Sequence, residues 1–232
     1  ELDHTLNAIH PSGNKLWSTV ISGRIVGEMQ QMDFCSIVFV TDRNRLYRID
    51  TSGKTLKGFS AGIPAEPIAE PLISKWNDKN IFLITSKNSI YAFDLEGNRL
   101  SNWKDENFDG TILGAVQQAG TNYVAGTSYG RVYFLNNDGS LQKEIDIPGD
   151  VVFKTQIGVV DVGNNSYEIL AFDDNSTLYR INSDKILSEI KIEQHVDKYF
   201  GSFKNISGPS AQEFTLIARN KLSAYETNSY KP

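Results

Sequence analysis

"RLYRIDTSGKTL", from Arg45 to Leu56, decides the fold, because the chain writes it more than once. The phrase returns as "SIYAFDLEGNRL" (Ser89 to Leu100) and "RVYFLNNDGSLQ" (Arg131 to Gln142). Aligned on the first apolar residue, six copies begin at Leu6, Leu46, Ile90, Val132, Leu178 and Leu222, at intervals of 40, 44, 42, 46 and 44 residues. Tyr47, Tyr91, Tyr133 and Tyr179 follow directly in four of them. Seven residues after the anchor stand Gly13, Gly53, Gly97 and Gly139, then Lys185 and Ser229, so the pattern decays toward the C-terminus.

Each copy reads as a hairpin. Alternation through Leu46, Tyr47, Arg48 and Ile49 predicts a strand, and "DTSG" or "NNDG" supplies a turn whose glycine takes positive φ. A short strand leaves the turn, as in "KLWSTV" or "RLSNW". Upstream lies another strand rich in β-branched and aromatic residues, such as "SIVFVT", "NIFLIT" or "NYVAGT". It joins the phrase through a tight turn at Asn44, Asn88, Gly130 or Asn220, residues that tolerate the left-handed region. A fourth strand comes before it, as in "AEPLISKW" or "TQIGVVDV".

Four strands in about 43 residues is the size of one β-propeller blade. Helix-pair repeats of similar length need apolar residues at i, i+3 and i+4, and these segments alternate instead. The expectation is an all-β chain: a β-propeller of about five four-stranded blades, from about Val26 to Tyr225, plus an extra N-terminal hairpin from Leu6 to Val20. Residues 1–232 read as a single propeller domain, and the missing half-blade reads as part of a longer protein. The hairpin is expected to dock, because Trp17 is a large ring to leave in water and a free sheet edge invites pairing.

Composition narrows the function. Net charge is −5, with acids and bases mixed, so no basic stripe exists to neutralise phosphates and nucleic-acid binding is not expected. No apolar run reaches the roughly 18 residues that span a bilayer. Cys35, the only cysteine, excludes an intrachain disulfide and a thiolate zinc site; in "DFCSIVFV" it reads as a buried small hydrophobe.

"NAIHPSGNKLW" (Asn7 to Trp17) and "YAFDLEGNRLSNW" (Tyr91 to Trp103) resemble repeats of the pyrroloquinoline-quinone-dehydrogenase-like propeller superfamily. That repeat ends a strand in Ala-x-Asp, turns on Thr-Gly, and carries a Trp that docks on the neighbouring blade. Ala8, Gly13 and Trp17 match, with His10 in place of the acid; Ala92, Asp94 and Gly97 match, with Trp103 two residues late. The chain is also similar to C-terminal propellers of large uncharacterised proteins from Bacteroidetes-type bacteria. The superfamily divides between quinone enzymes and cofactor-free scaffolds such as the outer-membrane barrel-assembly lipoprotein. The enzyme branch implies a larger ring, and often adjacent cysteines beneath the quinone. One cysteine and about five blades favour the scaffold branch, without quinone.

Several motifs carry the letters of known chemistry. "GTSYG" (Gly126 to Gly130) has the letters of a nucleophile elbow, but it joins two strands rather than a strand and a helix. "DENFDGT" opens like a calcium loop, with Asp105, Asn107 and Asp109 as oxygen ligands, yet Leu113 and Val116 stand where acids belong. It is kept as a weak calcium candidate, and "DVGNNSYE" (Asp161 to Glu168) as a weaker one. His4, His10 and His195 show no metal-ligand spacing, and Asn164, Asn175 and Asn205 head sequons at a density chance explains.

The expected role is a non-enzymatic interaction domain binding a protein partner. The expected location is periplasmic, outer-membrane-associated or extracellular. Its turns, such as Tyr129 with Arg131 and Trp76 with Asp78, are candidate surface. The alternative is a carbohydrate-active or lactonase-like enzyme using Glu28, Glu70, Gln117 and Gln156 near the first strands of the blades.

Overall fold

The computed structural model describes residues 3–164, 166–192, 213–218 and 221–226. An N-terminal hairpin pairs β1 (Asp3–Ile9) with β2 (Lys15–Ser22). The first blade orders β3 (Ile25–Met32), β4 (Ser36–Thr41), β5 (Arg45–Asp50) and β6 (Ala61–Gly62). The second has β7 (Leu72–Trp76), β8 (Lys79–Thr85) and β9 (Ile90–Phe93). The third has β10 (Gln117–Ala119), β11 (Asn122–Thr127), β12 (Arg131–Leu135) and β13 (Leu141–Asp146). The fourth has β14 (Gly158–Gly163), β15 (Ser166–Phe172), β16 (Thr177–Ile181) and β17 (Ile186–Lys191). A last hairpin joins β18 (Glu213–Ala218) to β19 (Lys221–Glu226). All pairings are antiparallel and follow chain order.

The repeat register holds at the turns. Gly13, Gly53, Gly97 and Gly139 have φ between +82° and +90°. An acid or amide before or within the turn takes the local N–H groups: Asp50 accepts from Ser52 and Lys54, Asp94 from Glu96 and Asn98, and Asn182 from Asp184 and Lys185. The Ser52 hydroxyl first, then the Lys54 N–H, holds the Asp50 carboxyl below its usual range. The earlier turn is left-handed at Asn44, Gly130 and Ser176. Asn88 does not follow; there the Ser86 N–H and hydroxyl both reach the Ser89 carbonyl and close the turn without a positive φ. Asn220 lies outside the described residues.

Two expectations need correction. The second blade has three strands, not four: "RLSNW" makes only a bridge, Arg99 to Phe93, before the chain turns and Trp103 lies over Gly139. Pro64, Pro67 and Pro71 supply no N–H, which keeps the flanks of β6 and β7 short. Cys35 is exposed rather than buried, because Asp33 turns at φ +54° and its carboxylate accepts the Cys35 N–H. β4 therefore begins at Ser36.

The chain divides into two compact units. One is Glu1–Asn107 with Asp138–Ser140, the other Phe108–Asn137 with Leu141–Pro232. In the first, β1–β2 packs Leu6, Trp17 and Ile21 on Phe39, Tyr47 and Ile49, while Val38, Val40 and Leu46 meet Phe82, Ile84 and Phe93. In the second, Val124, Val132 and Phe134 meet Phe153, Ile169, Ala171 and Tyr179. Near-complete burial of such side chains contributes about 1.5–3 kcal/mol each.

Candidate functional site: turns and seams of the blades

A seam forms where an outer strand meets the turn of the following blade. In the first unit Trp17 of β2 lies over Gly53 in the turn after β5, and its indole N–H donates to the Thr51 carbonyl at 2.9 Å. Thr19 adds its hydroxyl to the Gly53 carbonyl. A Cβ at Gly53 would come within 2.6 Å of the indole, so glycine is required both for φ and for the ring. Trp103 repeats the arrangement over Gly139, and the Lys104 N–H reaches the Asp138 carbonyl at 2.9 Å. Its own indole N–H donates to the Ile90 carbonyl at 2.7 Å, and Trp76 packs edge-on against it. Thus Trp76, a candidate for the surface, is tucked on Trp103.

Beside Trp17 the turn between β3 and β4 presents Phe34, which is 94% exposed. Phe34, Trp17, Ile37 and Ile49 line a groove of about 180 Å³. The turn is held from beneath. Arg48 pairs with Asp33 at 3.3 Å and donates to the Ser36 hydroxyl at 3.0 Å and the Leu95 carbonyl at 3.2 Å.

In the second unit the tyrosine of each phrase ties down the strand entry or the turn. The Asp109 N–H donates to the Tyr133 hydroxyl at 3.3 Å, much as the Ser22 N–H donates to Tyr47 at 3.0 Å in the first unit. Tyr179 reverses the bond and donates to Asp173 at 3.1 Å. Burial first, then the Asp173 charge, pushes the Tyr179 hydroxyl up to about 12. Burial likewise raises that of Tyr133. Tyr91 is the exception in the first unit: it is partly buried, with the Arg99 guanidinium 5.2 Å above its ring.

The calcium-loop residues have protein partners. Asp105 pairs with Arg99, Asp109 with Arg131, and Asn107 is exposed. Arg131 also faces Glu144 at 3.3 Å and Asp146 at 3.7 Å. Among the described residues no three of His, Cys, Asp and Glu gather as a metal-binding group. In "DVGNNSYE" Asp161 accepts the Gly163 N–H, and Glu168 holds Arg180 in a two-pronged pair at 2.8 Å. Ser128 of "GTSYG" accepts the Thr111 N–H at 3.1 Å in the turn between β11 and β12, with Tyr129 exposed beside it. Gln117 and Gln156 direct their amides to one carbonyl, that of Ala115. Glu70 lies against Gly27, and Glu28 is exposed. His195 and Asn205 lie outside the described residues. Sequence reasoning missed Phe34; the aspartate before it, followed by Phe-Cys, was the available signal for a turn.

Comparison with solved structures fits this geometry. The chain is similar to BBS1N, solved in complex with ARL6DN, with a TM-score of 0.67 at 11% identity over 90% of this chain and 68% of that one. It is similar to BamB from Moraxella catarrhalis, with a TM-score of 0.66 at 13% identity over 95% of this chain and 66% of that one. It is also similar to the computationally designed Ika8 protein, with a TM-score of 0.58 at 12% identity over 93% and 62%. No family model and no curated protein matches the sequence. The chain thus spans about two thirds of the length of these structures. Its fold is that of a β-propeller.

Proposed function

We propose that this chain is a non-enzymatic propeller domain that binds a protein partner through the turns of its first blade. The observation that carries the reading is Phe34, a large apolar ring held out in water by a turn that Arg48 and Asp33 fix. An exposed ring beside an apolar groove is a feature of interaction sites rather than of solvated turns. A turn ordered in advance lowers the entropy cost of binding. BBS1N, which shares the fold, was solved with a protein bound, which supports the class of function and says nothing of the partner.

The repeat motif and the seating of Trp17 on Gly53 support kinship with the cofactor-free branch of the quinoprotein-like propellers. That resemblance in turn favours a bacterial envelope or extracellular setting. Among the described residues no helix is long and apolar enough to cross a membrane.

The test compares wild type with Phe34→Asp. Both are immobilised and exposed to envelope extract from the source cells, and retained proteins are identified by mass spectrometry. The reading predicts a protein held by wild type and lost with Phe34→Asp, while the melting temperature is unchanged. A partner retained equally by both would overturn the assignment to this turn.

A further inference from the structure

At its outer strand and its turn, the seam between the third and fourth blades repeats the Trp17 seam, with the ring absent. Trp17 pairs with Ala8 in its hairpin, and Lys143 pairs with Phe134. Ala8 and Phe134 each stand two residues after a repeat anchor, and a β-bulge follows each. Lys143 therefore holds the place of Trp17. By the same count Ser183 holds the place of Thr51, which accepts the Trp17 indole N–H, and Lys185 that of Gly53, which lies under the ring.

Both halves of the dock are thus lost together here, and space remains. A cavity of about 500 Å³ opens, where the Trp17 seam retains a groove of about 180 Å³. Its apolar lining comes from Ala119, Val124 and Phe134, and its polar lining, the larger part, includes Asn122, Gln142, Asn182, Ser183 and Asp184. Tyr167 lines it with an aromatic ring, which Gly120 approaches closely at φ +65°. Lys143 bridges the seam only at its edge, donating to the Asp184 carbonyl at 3.1 Å. A cavity of this volume with an aromatic wall and several fixed polar groups suits a small ring-shaped ligand that carries a hydrogen-bond donor.

We infer that this cavity is a binding site for an indole ring, supplied from outside the chain. The ring enters where Trp17 sits in the earlier seam, faces Tyr167, and donates its N–H to the carbonyl of Ser183. Aromatic pairs favour such an arrangement at centroid separations of about 4.5–7 Å. The site is separate from the Phe34 turn and stands whether or not that turn binds protein.

The experiment is a methyl-labelled NMR titration of the wild-type chain with N-acetyl-tryptophan amide, free indole and N-acetylglucosamine. The indole probes are expected to shift the Val124 methyl signals and leave those of Val38 unmoved. Tighter binding of the amide identifies a tryptophan residue of a polypeptide as the natural source; equal or tighter binding of free indole identifies a small molecule. Lys143→Trp with Lys185→Gly rebuilds the dock and should weaken either indole probe at least tenfold. Shifts at Val124 with the sugar alone, or with none of the three, overturn the inference. The wild-type titration decides this even if the double variant fails to fold.

Discussion

The seam at Trp17 and the seam at Lys143 share a backbone plan and differ in what fills it. In one, an indole lies over a glycine in the next turn and hydrogen-bonds the Thr51 carbonyl. In the other, a lysine reaches across to a carbonyl, a second lysine replaces the glycine, and a cavity remains. Blades need a close contact between an outer strand and the following turn, but the chain does not need it everywhere. The closed seam contributes to stability; the open one leaves room for a ligand.

The largest contrast lies in truncating the two equivalent residues. Trp17→Ala should lower stability by about 3 kcal/mol, through lost apolar contact and the space left behind. Lys143→Ala, at a 44% exposed side chain, should fall within about 0.5 kcal/mol of wild type. Urea denaturation of both variants checks this, and equal losses would break the comparison.

Next comes the glycine. Gly53→Ala combines a positive φ with a clash against the Trp17 ring and should cost about 2 kcal/mol. In the Trp17→Ala background the clash is gone and only the conformational part, about 1 kcal/mol, should remain. Additive losses would mean that the ring and the glycine are independent.

These elements differed in how far the sequence revealed them. The anchors, the tyrosines and the glycines at the seventh position were legible because strand alternation and positive-φ turns are local demands. The hairpin β1–β2 was legible for the same reason. That Trp17 docks on a neighbouring blade was anticipated through the family resemblance, but Gly53 as its partner was not, since a contact 36 residues apart leaves no periodic trace. Phe34 was passed over and Cys35 misread because "DFCSIVFV" looks like one apolar run. The Asp33 carboxylate stops it by capturing an N–H that a strand would have spent on its neighbour. The cavity was invisible, because its lining gathers side chains from Ala119 to Asp184, spread over several strands and turns, and such distant meetings leave no local pattern.

A smaller effect belongs to Tyr179. The folded-state Tyr179 hydroxyl sits near 12 against an ordinary value of 10. Its proton is retained by the native chain while the unfolded chain loses it, so this contribution is intact below pH 10 and is lost as pH rises toward 12. Melting curves should fall more steeply over that window in wild type than in Tyr179→Phe. Parallel curves would contradict the buried Tyr179–Asp173 bond.

The smallest expected effect is that of calcium. With Asp105 and Asp109 paired to arginines, millimolar calcium should leave the melting temperature unchanged. A rise abolished by Asp105→Ala would restore the loop as a metal site.

The most direct test of the seam account adds indole to Trp17→Ala and follows isoleucine methyl signals by NMR. Removing the ring should open the closed seam, and the apolar space that the ring leaves accepts a matching small molecule. The account predicts that indole shifts Ile37 and Ile49 in the variant and restores part of its lost melting temperature, with those signals still in wild type. If Ile37 and Ile49 stay unmoved in Trp17→Ala while the variant remains folded, Trp17 is not the filling of a seam, and the equivalence with Lys143 fails.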